Sequence, residues 1–215
     1  MHSSIEYILF DLDGTLYSSR WGLEQAVSGR VNDYIAAYLG LPREEAWALR
    51  KEGIAAGGYG TTLEWLRAEK GFKDTDLEGY FAFIHPENEA DALQPDPALR
   101  SFLLSLTVPM GILTNSSLEH AQRILHKLGV ADLFHTIFDI RKNEFTGKPN
   151  AAMYRRVLGE LGVPASSCML VDDVLFYIEG YLAVGGAGVY FDEDNRHPEF
   201  SGLRIQKLEE LTGLL

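Results

Sequence analysis

Five short apolar runs, at residues 7–10, 110–114, 136–139, 168–172 and 188–191, punctuate a chain otherwise patterned for helices. Strands alternating with helices predict an α/β fold: a doubly wound, Rossmann-like parallel sheet that binds ligands at the carboxyl ends of its strands. Between the first run and the rest lies a block, residues 17–93, with no strand pattern. Leu23, Val27, Val31, Tyr34 and Tyr38 form one helical stripe there. The block therefore reads as an inserted helical cap, and residues 1–16 and 94–215 as the α/β core. Its exit is Gln94-Pro95-Asp96-Pro97, where Asp96 can cap a helix to Leu106 with Pro97 in its first turn. A second core helix is expected over Ala151–Leu161.

Each of three runs stops at polar residues suited to chemistry. Tyr7-Ile8-Leu9-Phe10 meets Asp11-Leu12-Asp13-Gly14-Thr15, and strand alternation points residues 11 and 13 to one side. Two neighbouring carboxylates repel, which suggests a shared proton or a bound hard cation such as Mg²⁺, although Asp-Gly also occurs in ordinary turns. Met110-Gly111-Ile112-Leu113 ends in Thr114-Asn115-Ser116-Ser117, and Ser116 with Glu119 has capping-box spacing, so a helix N-terminus there would present N–H groups to an anion. Ser116 and Asn115 can equally serve only as caps. Cys168-Met169-Leu170-Val171 ends in a second acidic pair, Asp172-Asp173. Lys148 sits in the loop 146–149 before a helix, where a lysine is ordinarily solvated.

These four pieces, in this order, resemble the haloacid-dehalogenase-like hydrolase superfamily over nearly the whole chain, and most members cleave phosphate monoesters. The resemblance implies that Asp11 is a nucleophile forming an aspartyl-phosphate and Asp13 the general acid and base. It implies Mg²⁺ held by an Asp11 side-chain oxygen, the Asp13 backbone carbonyl and the acidic pair Asp172 and Asp173, with the Asp173 carboxylate as direct ligand. Thr114, Asn115 and Lys148 would bind the phosphoryl oxygens. Leu16-Tyr17, Tyr59-Gly60-Thr61-Thr62, Phe83-Ile84-His85 and Leu93-Gln94-Pro95-Asp96-Pro97 are similar to the pyrimidine 5′-nucleotidase branch, which makes a nucleoside monophosphate the expected substrate. Two other readings share the fold: a phosphomutase-type isomerase, and a catalytically weak binding or regulatory domain. The last is raised by Tyr177, which stands where relatives carry an Asn or Asp and puts Mg²⁺ affinity in doubt, unless Glu179 or the Tyr177 hydroxyl substitutes. A dehalogenase is disfavoured, because halide displacement does not use the acid and metal chemistry of Asp13 and Asp173.

A cap inserted directly after the nucleophile is placed to cover the site and read the leaving group. Tyr59, Thr61 and His85 are the candidates for that contact, with Tyr59 expected mainly in the cap core. Gly53, Gly57, Gly58 and Gly60 read as an interhelical loop, and Trp21, Trp47 and Trp65 as packing aromatics.

The net charge of −12 argues against a nucleic-acid polymer as partner, so an anionic substrate needs a locally positive pocket. The expected partner is a small phosphorylated metabolite, with no membrane and no obligate protein partner. The single cysteine, Cys168, reads as a core thiol, and Met1-His2-Ser3-Ser4 running straight into a strand suggests a cytoplasmic protein. His120, His126 and His135 show no metal-ligand spacing with Cys168, and Gly147-Lys148 lacks the upstream glycine of a P-loop. The run Asp192-Glu193-Asp194 reads as a solvated loop.

Overall fold

The structure, a computed structural model, describes residues 4–215. Met1, His2 and Ser3, placed by the sequence ahead of the first strand, lie outside the described residues. The strands are β1 (Tyr7–Phe10), β2 (Met110–Leu113), β3 (Thr136–Phe138), β4 (Cys168–Asp172), β5 (Ala187–Phe191) and β6 (Leu203–Ile205). They form one sheet in the order β3-β2-β1-β4-β5-β6, with every neighbouring pair parallel. β1, β2 and β4 are buried along their whole length, which explains why these runs are continuously apolar rather than alternating. β6 was not anticipated: with three residues, an exposed Leu203 and Arg204 in its middle, it carries no readable strand period.

Register decides what meets at the sheet's carboxyl edge. Phe10 pairs with Val171 on β4 and with Ile112 on β2, and the Asp11 N–H donates to the Val171 carbonyl at 2.9 Å. Asp11, Thr114 and Asp172 therefore finish neighbouring strands at one edge. The connections reverse direction around β1, as in other doubly wound sheets that bind ligands at this point.

On the core side lie α5 (Pro97–Ser105), α6 (Leu118–Leu128), α7 (Ala151–Leu161) and α8 (Leu175–Ala183). Asp96 caps α5 by accepting from the Ala98 and Leu99 N–H groups, and Asn150 caps α7 in the same way. Cys168 is buried in β4, and burial pushes its thiol up to about 11, as suits a core residue.

Between β1 and α5 the chain forms α1 (Leu23–Leu39), α2 (Arg43–Gly57), α3 (Thr62–Glu69) and α4 (Leu77–Ile84), with no strand among the described residues there. These helices bury a cluster of their own around Val31, Ile35, Trp65, Leu66, Tyr80 and Phe81. Leu23, Ala90 and Leu93, at the edges of the block, pack instead with the cluster under the sheet. Among the tryptophans only Trp65 fits the packing expectation; Trp21 and Trp47 are at least half exposed. Nor do the four glycines make one loop. Gly53 lies within α2 under the Trp65 indole, where a Cβ would come within 2.1 Å of Nε1, and Gly58 ends the helix at a φ of +65°. Gly60 lies against the Lys148 carbonyl, 2.5 Å from where its Cβ would be.

The acidic run 192–194 is likewise no free loop. Asp192 is buried and accepts from the Arg196 and His197 N–H groups and from Arg204, Glu193 accepts from Ser18, and Asp194 pairs with Arg20 and Arg196. Those contacts fasten the entry of the cap to the far end of the chain.

Candidate active site

Asp11 and Lys148 form the centre. Lys148 Nζ donates to Asp11 Oδ1 and to Asp172 Oδ2, both at 2.6 Å, and the lysine is 1% exposed. Lys148, singled out by the resemblance as a phosphate ligand, is thus a buried ion and not the solvated residue that a lysine in a loop ordinarily is. Burial alone would lower its pKa; the Asp11 and Asp172 charges outweigh that and hold it well above the usual lysine range. Its ammonium also lies 5.1 Å from the centre of the Tyr177 ring. Tyr177 is therefore a wall against the lysine, and Glu179, exposed on α8, does not replace a polar group there. Asn115, expected on the phosphate, has its carboxamide on the lysine's backbone: its Oδ1 accepts the Lys148 N–H at 2.7 Å and its Nδ2 donates to the Lys148 carbonyl at 3.2 Å. The carboxamide fixes the lysine's backbone.

Asp11, Asp172 and Asp173 bring one carboxylate oxygen each to within 4.8 Å of one another. One cation cannot balance three acids, two of them buried and Asp173 half-buried. Burial, then Asp172 and Glu24, push the Asp173 carboxyl up to about 7. Glu24, in the first turn of α1, is pushed up mainly by burial, and its Oε1 and Asp173 Oδ2 each lie 2.5 Å from where a Gly14 Cβ would stand. Gly14, at a φ of +78°, both turns the chain and leaves room for these acids. Asp172 uses Oδ1 on the Val174 N–H and Oδ2 on Lys148, so the less engaged oxygens belong to Asp11 and Asp173. Hard oxygen donors carrying more negative charge than the protein neutralises fit a hard divalent cation.

Asp13 faces elsewhere. Its Oδ1 accepts from the Tyr17 hydroxyl and meets His120 Nε2 at 2.7 Å, and its Oδ2 accepts from Ser116 Oγ at 2.9 Å. No hydrogen bond joins it to Asp11, so of the two alternatives left open for this acidic pair, a shared proton or a bound cation, the geometry does not support the first. Burial would raise its pKa, but the His120 charge and the bonds from His120 and Tyr17 hold it well below the usual carboxylate range. The expected role of Asp13 as a metal ligand rested on its backbone carbonyl, and its carboxylate lies outside the Asp11, Asp172 and Asp173 group.

Ser116 is not the helix cap predicted from its spacing to Glu119. The cap is Ser117, which accepts from the His120 N–H, because Ser116 gives its hydroxyl to Asp13 and its N–H to Thr114 Oγ1 at 3.0 Å. Thr114 is buried at the end of β2.

A cavity of about 240 Å³ opens between cap and core. Thir lining includes Arg50, Thr61, His85, Asn115, Ser116 and Tyr177. Two of the three residues expected to contact the leaving group thus reach it. Thr61 also caps α3 by accepting from the Glu64 N–H, and His85 is buried against Glu89. Tyr59 lines a different depression, beside Glu144, Phe145 and Pro149, while packing partly on the cap cluster. Arg50 was missed: its Nε donates to Thr62 Oγ1 and an NH group to Asn32 Oδ1, both neutral acceptors.

Residues 5–185 match the haloacid dehalogenase-like hydrolase family. The chain belongs to that family. It is 28% identical over 177 residues to a phosphoglycolate phosphatase of Yersinia pseudotuberculosis, covering 79% of this chain and 73% of that protein. It is also 28% identical over 176 residues to a glyceraldehyde 3-phosphate phosphatase of Methanocaldococcus jannaschii, covering 79% and 76%. A hydrolase of the family from Bacillus subtilis, solved bound to magnesium, shares the fold with a TM-score of 0.65 at 20% identity over 99% of both chains. Within the family this chain is a phosphatase, a phosphoric monoester hydrolase. None of the described helices is long and apolar enough to cross a membrane.

Proposed function

We propose that this family member hydrolyses small phosphorylated metabolites with Mg²⁺, through an aspartyl-phosphate on Asp11. The observation that carries the reading is Lys148, buried between Asp11 and Asp172 beside an undercompensated Asp173. The Asp11 oxygen not bonded to Lys148 attacks phosphorus as the bond to the leaving oxygen breaks, and that oxygen takes a proton from water, to which Asp13 returns the proton that it gains in the second step. In the second step water attacks the same phosphorus, Asp13 accepts the water's proton, and the bond to Asp11 breaks to release phosphate. Ionised and accepting three hydrogen bonds, Asp13 is already in the state that receives a proton. Lys148 neutralises the phosphoryl oxygens, and Thr114 borders them. Asp11 and Asp173, with the Asp13 carbonyl, would hold Mg²⁺, which supplies further charge neutralisation. We read residues 17–93 as the cap that excludes water during these steps.

For the leaving group, a nucleoside rests on the sequence resemblance alone. Arg50 supports a different choice: a guanidinium lining the cavity, with no carboxylate against it among the described residues, suits a substrate carrying a second acidic group. Phosphate release should be measured across phosphoglycolate, sugar phosphates and nucleoside monophosphates. Activity is expected with Mg²⁺, highest on the phosphorylated acids, and abolished by EDTA. A rate unchanged by complete removal of divalent cations would overturn the metal reading, and preference for a nucleotide would overturn the Arg50 argument.

The protonation of Asp173 adds a pH dependence. Its carboxyl, at about 7 in the metal-free protein, has to lose its proton to bind a cation. Mg²⁺ affinity is thus expected to fall as pH is lowered through that value, by about tenfold per unit for the Asp173 proton alone and more steeply where Asp11, also pushed up by burial, has to lose one too. Calorimetric titration with Mg²⁺ at acidic, neutral and alkaline pH checks this; equal affinity throughout would contradict it.

A further inference from the structure

Behind Asp13 lies a buried cluster that the steps above do not use. His120, in the first turn of α6, places Nε2 at 2.7 Å from Asp13 Oδ1 and Nδ1 at 2.8 Å from Glu89 Oε1. Both ring nitrogens face carboxylate oxygens, so both carry hydrogen and the ring bridges the two acids. Glu89 is anchored in turn by Arg123, by Arg30 at 3.5 Å, and by His85 Nδ1 at 2.9 Å, and the His85 ring lies 4.1 Å from that of His120. His85, Glu89 and His120 also lie close enough together to hold a metal ion. Two guanidiniums on Glu89 and the commitment of His120 Nε2 to Asp13 argue against a further cation there.

We propose that His120, oriented by Glu89, is a positioning residue for Asp13: it fixes the carboxylate so that it can take the proton of the water that hydrolyses the aspartyl-phosphate. The support is geometric. Of the three groups bonded to the Asp13 carboxylate, the Tyr17 and Ser116 hydroxyls can turn about their C–O bonds, whereas the imidazole is rigid and pinned at its far nitrogen. The proposal rests on the phosphatase reading above, so the experiment separates the two.

The substrate is 4-nitrophenyl phosphate, whose leaving group departs without a proton, so that kcat/KM reports attack by Asp11 and kcat comes to report hydrolysis of the intermediate. In His120→Leu, kcat is expected to fall by roughly tenfold or more while kcat/KM stays within about twofold, with a burst of one 4-nitrophenol per active site. His120→Gln keeps an N–H directed at Asp13 and is expected to recover most of kcat. Glu89→Gln, which serves as well should His120→Leu fail to fold, is expected to show the same kcat-only loss in smaller degree. An equal fall of kcat and kcat/KM would mark a general lesion and overturn the proposal, as would an unchanged kcat or a Gln variant no better than Leu. Absence of turnover in the wild-type protein would instead overturn the phosphatase reading.

Discussion

Asp11→Asn is expected to reduce phosphate release by on the order of 10³-fold or more while the protein folds as well as before. The amide is isosteric and its oxygen can still accept from Lys148, but it is a poor nucleophile toward phosphorus. Burial, with Asp172, Asp173 and Asp13 adding to it, pushes the Asp11 carboxyl well above its ordinary value, and only Lys148 opposes this. Removing that charge relieves repulsion among acids, so Tm should be unchanged or higher, the usual relation between strain at a site and its activity. Phosphate release by wild type and variant over a panel of esters with Mg²⁺, together with thermal melts, checks both halves. Equal rates in the two proteins would leave no place for an aspartyl-phosphate and would return the chain to the reading of a weak binding domain.

Lys148→Met should be the most damaging single change to stability. It removes the cation shared by two buried carboxylates, and breaking a buried pair in this way costs about 3–5 kcal/mol. The pH dependence has a definite sign. The lysine's pKa is raised on folding, so its contribution is fully present below its ordinary pKa and is lost only as pH rises through the still higher folded value. In the variant, Asp11 and Asp172 relieve their repulsion by taking up protons, so the stability deficit should shrink as pH is lowered. Urea melts at neutral and mildly acidic pH test this. Adding Asp172→Asn should restore part of the stability and none of the activity; a single variant as stable as wild type at neutral pH would contradict the account.

The fold was legible because buried parallel strands leave a continuous apolar trace, as β1, β2 and β4 do, and because caps such as Asp96 and Asn150 act on residues next to them. The acids at strand ends were legible for the same reason. What escaped depends on partners distant in the chain. Lys148 is buried only because β1 and β4 each end in a carboxylate within its reach. Ser116 and Ser117 are equally good caps locally, and Asp13, more than a hundred residues away, decides between them. Glu24 and Arg50 carry no spacing that links them to the site. His85 and Glu89, four residues apart, held a weak local signal for the cluster on Asp13, but His120 joins it only through the tertiary fold. The acidic run 192–194 misled because solvation is the usual fate of such a stretch, and its fixed donors come from the following loop and from the cap entry.

The join between cap and lysine loop has a consequence for engineering. Glu64, in the first turn of α3, accepts the Gly60 and Thr61 N–H groups on one oxygen and the Gly147 N–H, at 2.8 Å, on the other. Gly60 itself rests on the Lys148 carbonyl. A chimera carrying a foreign helical insert would therefore lose more than its substrate preference. It would strip the neighbour of the reactive lysine of its anchor, so transplantation of specificity between relatives calls for moving residues 60–64 and the 146–149 turn together.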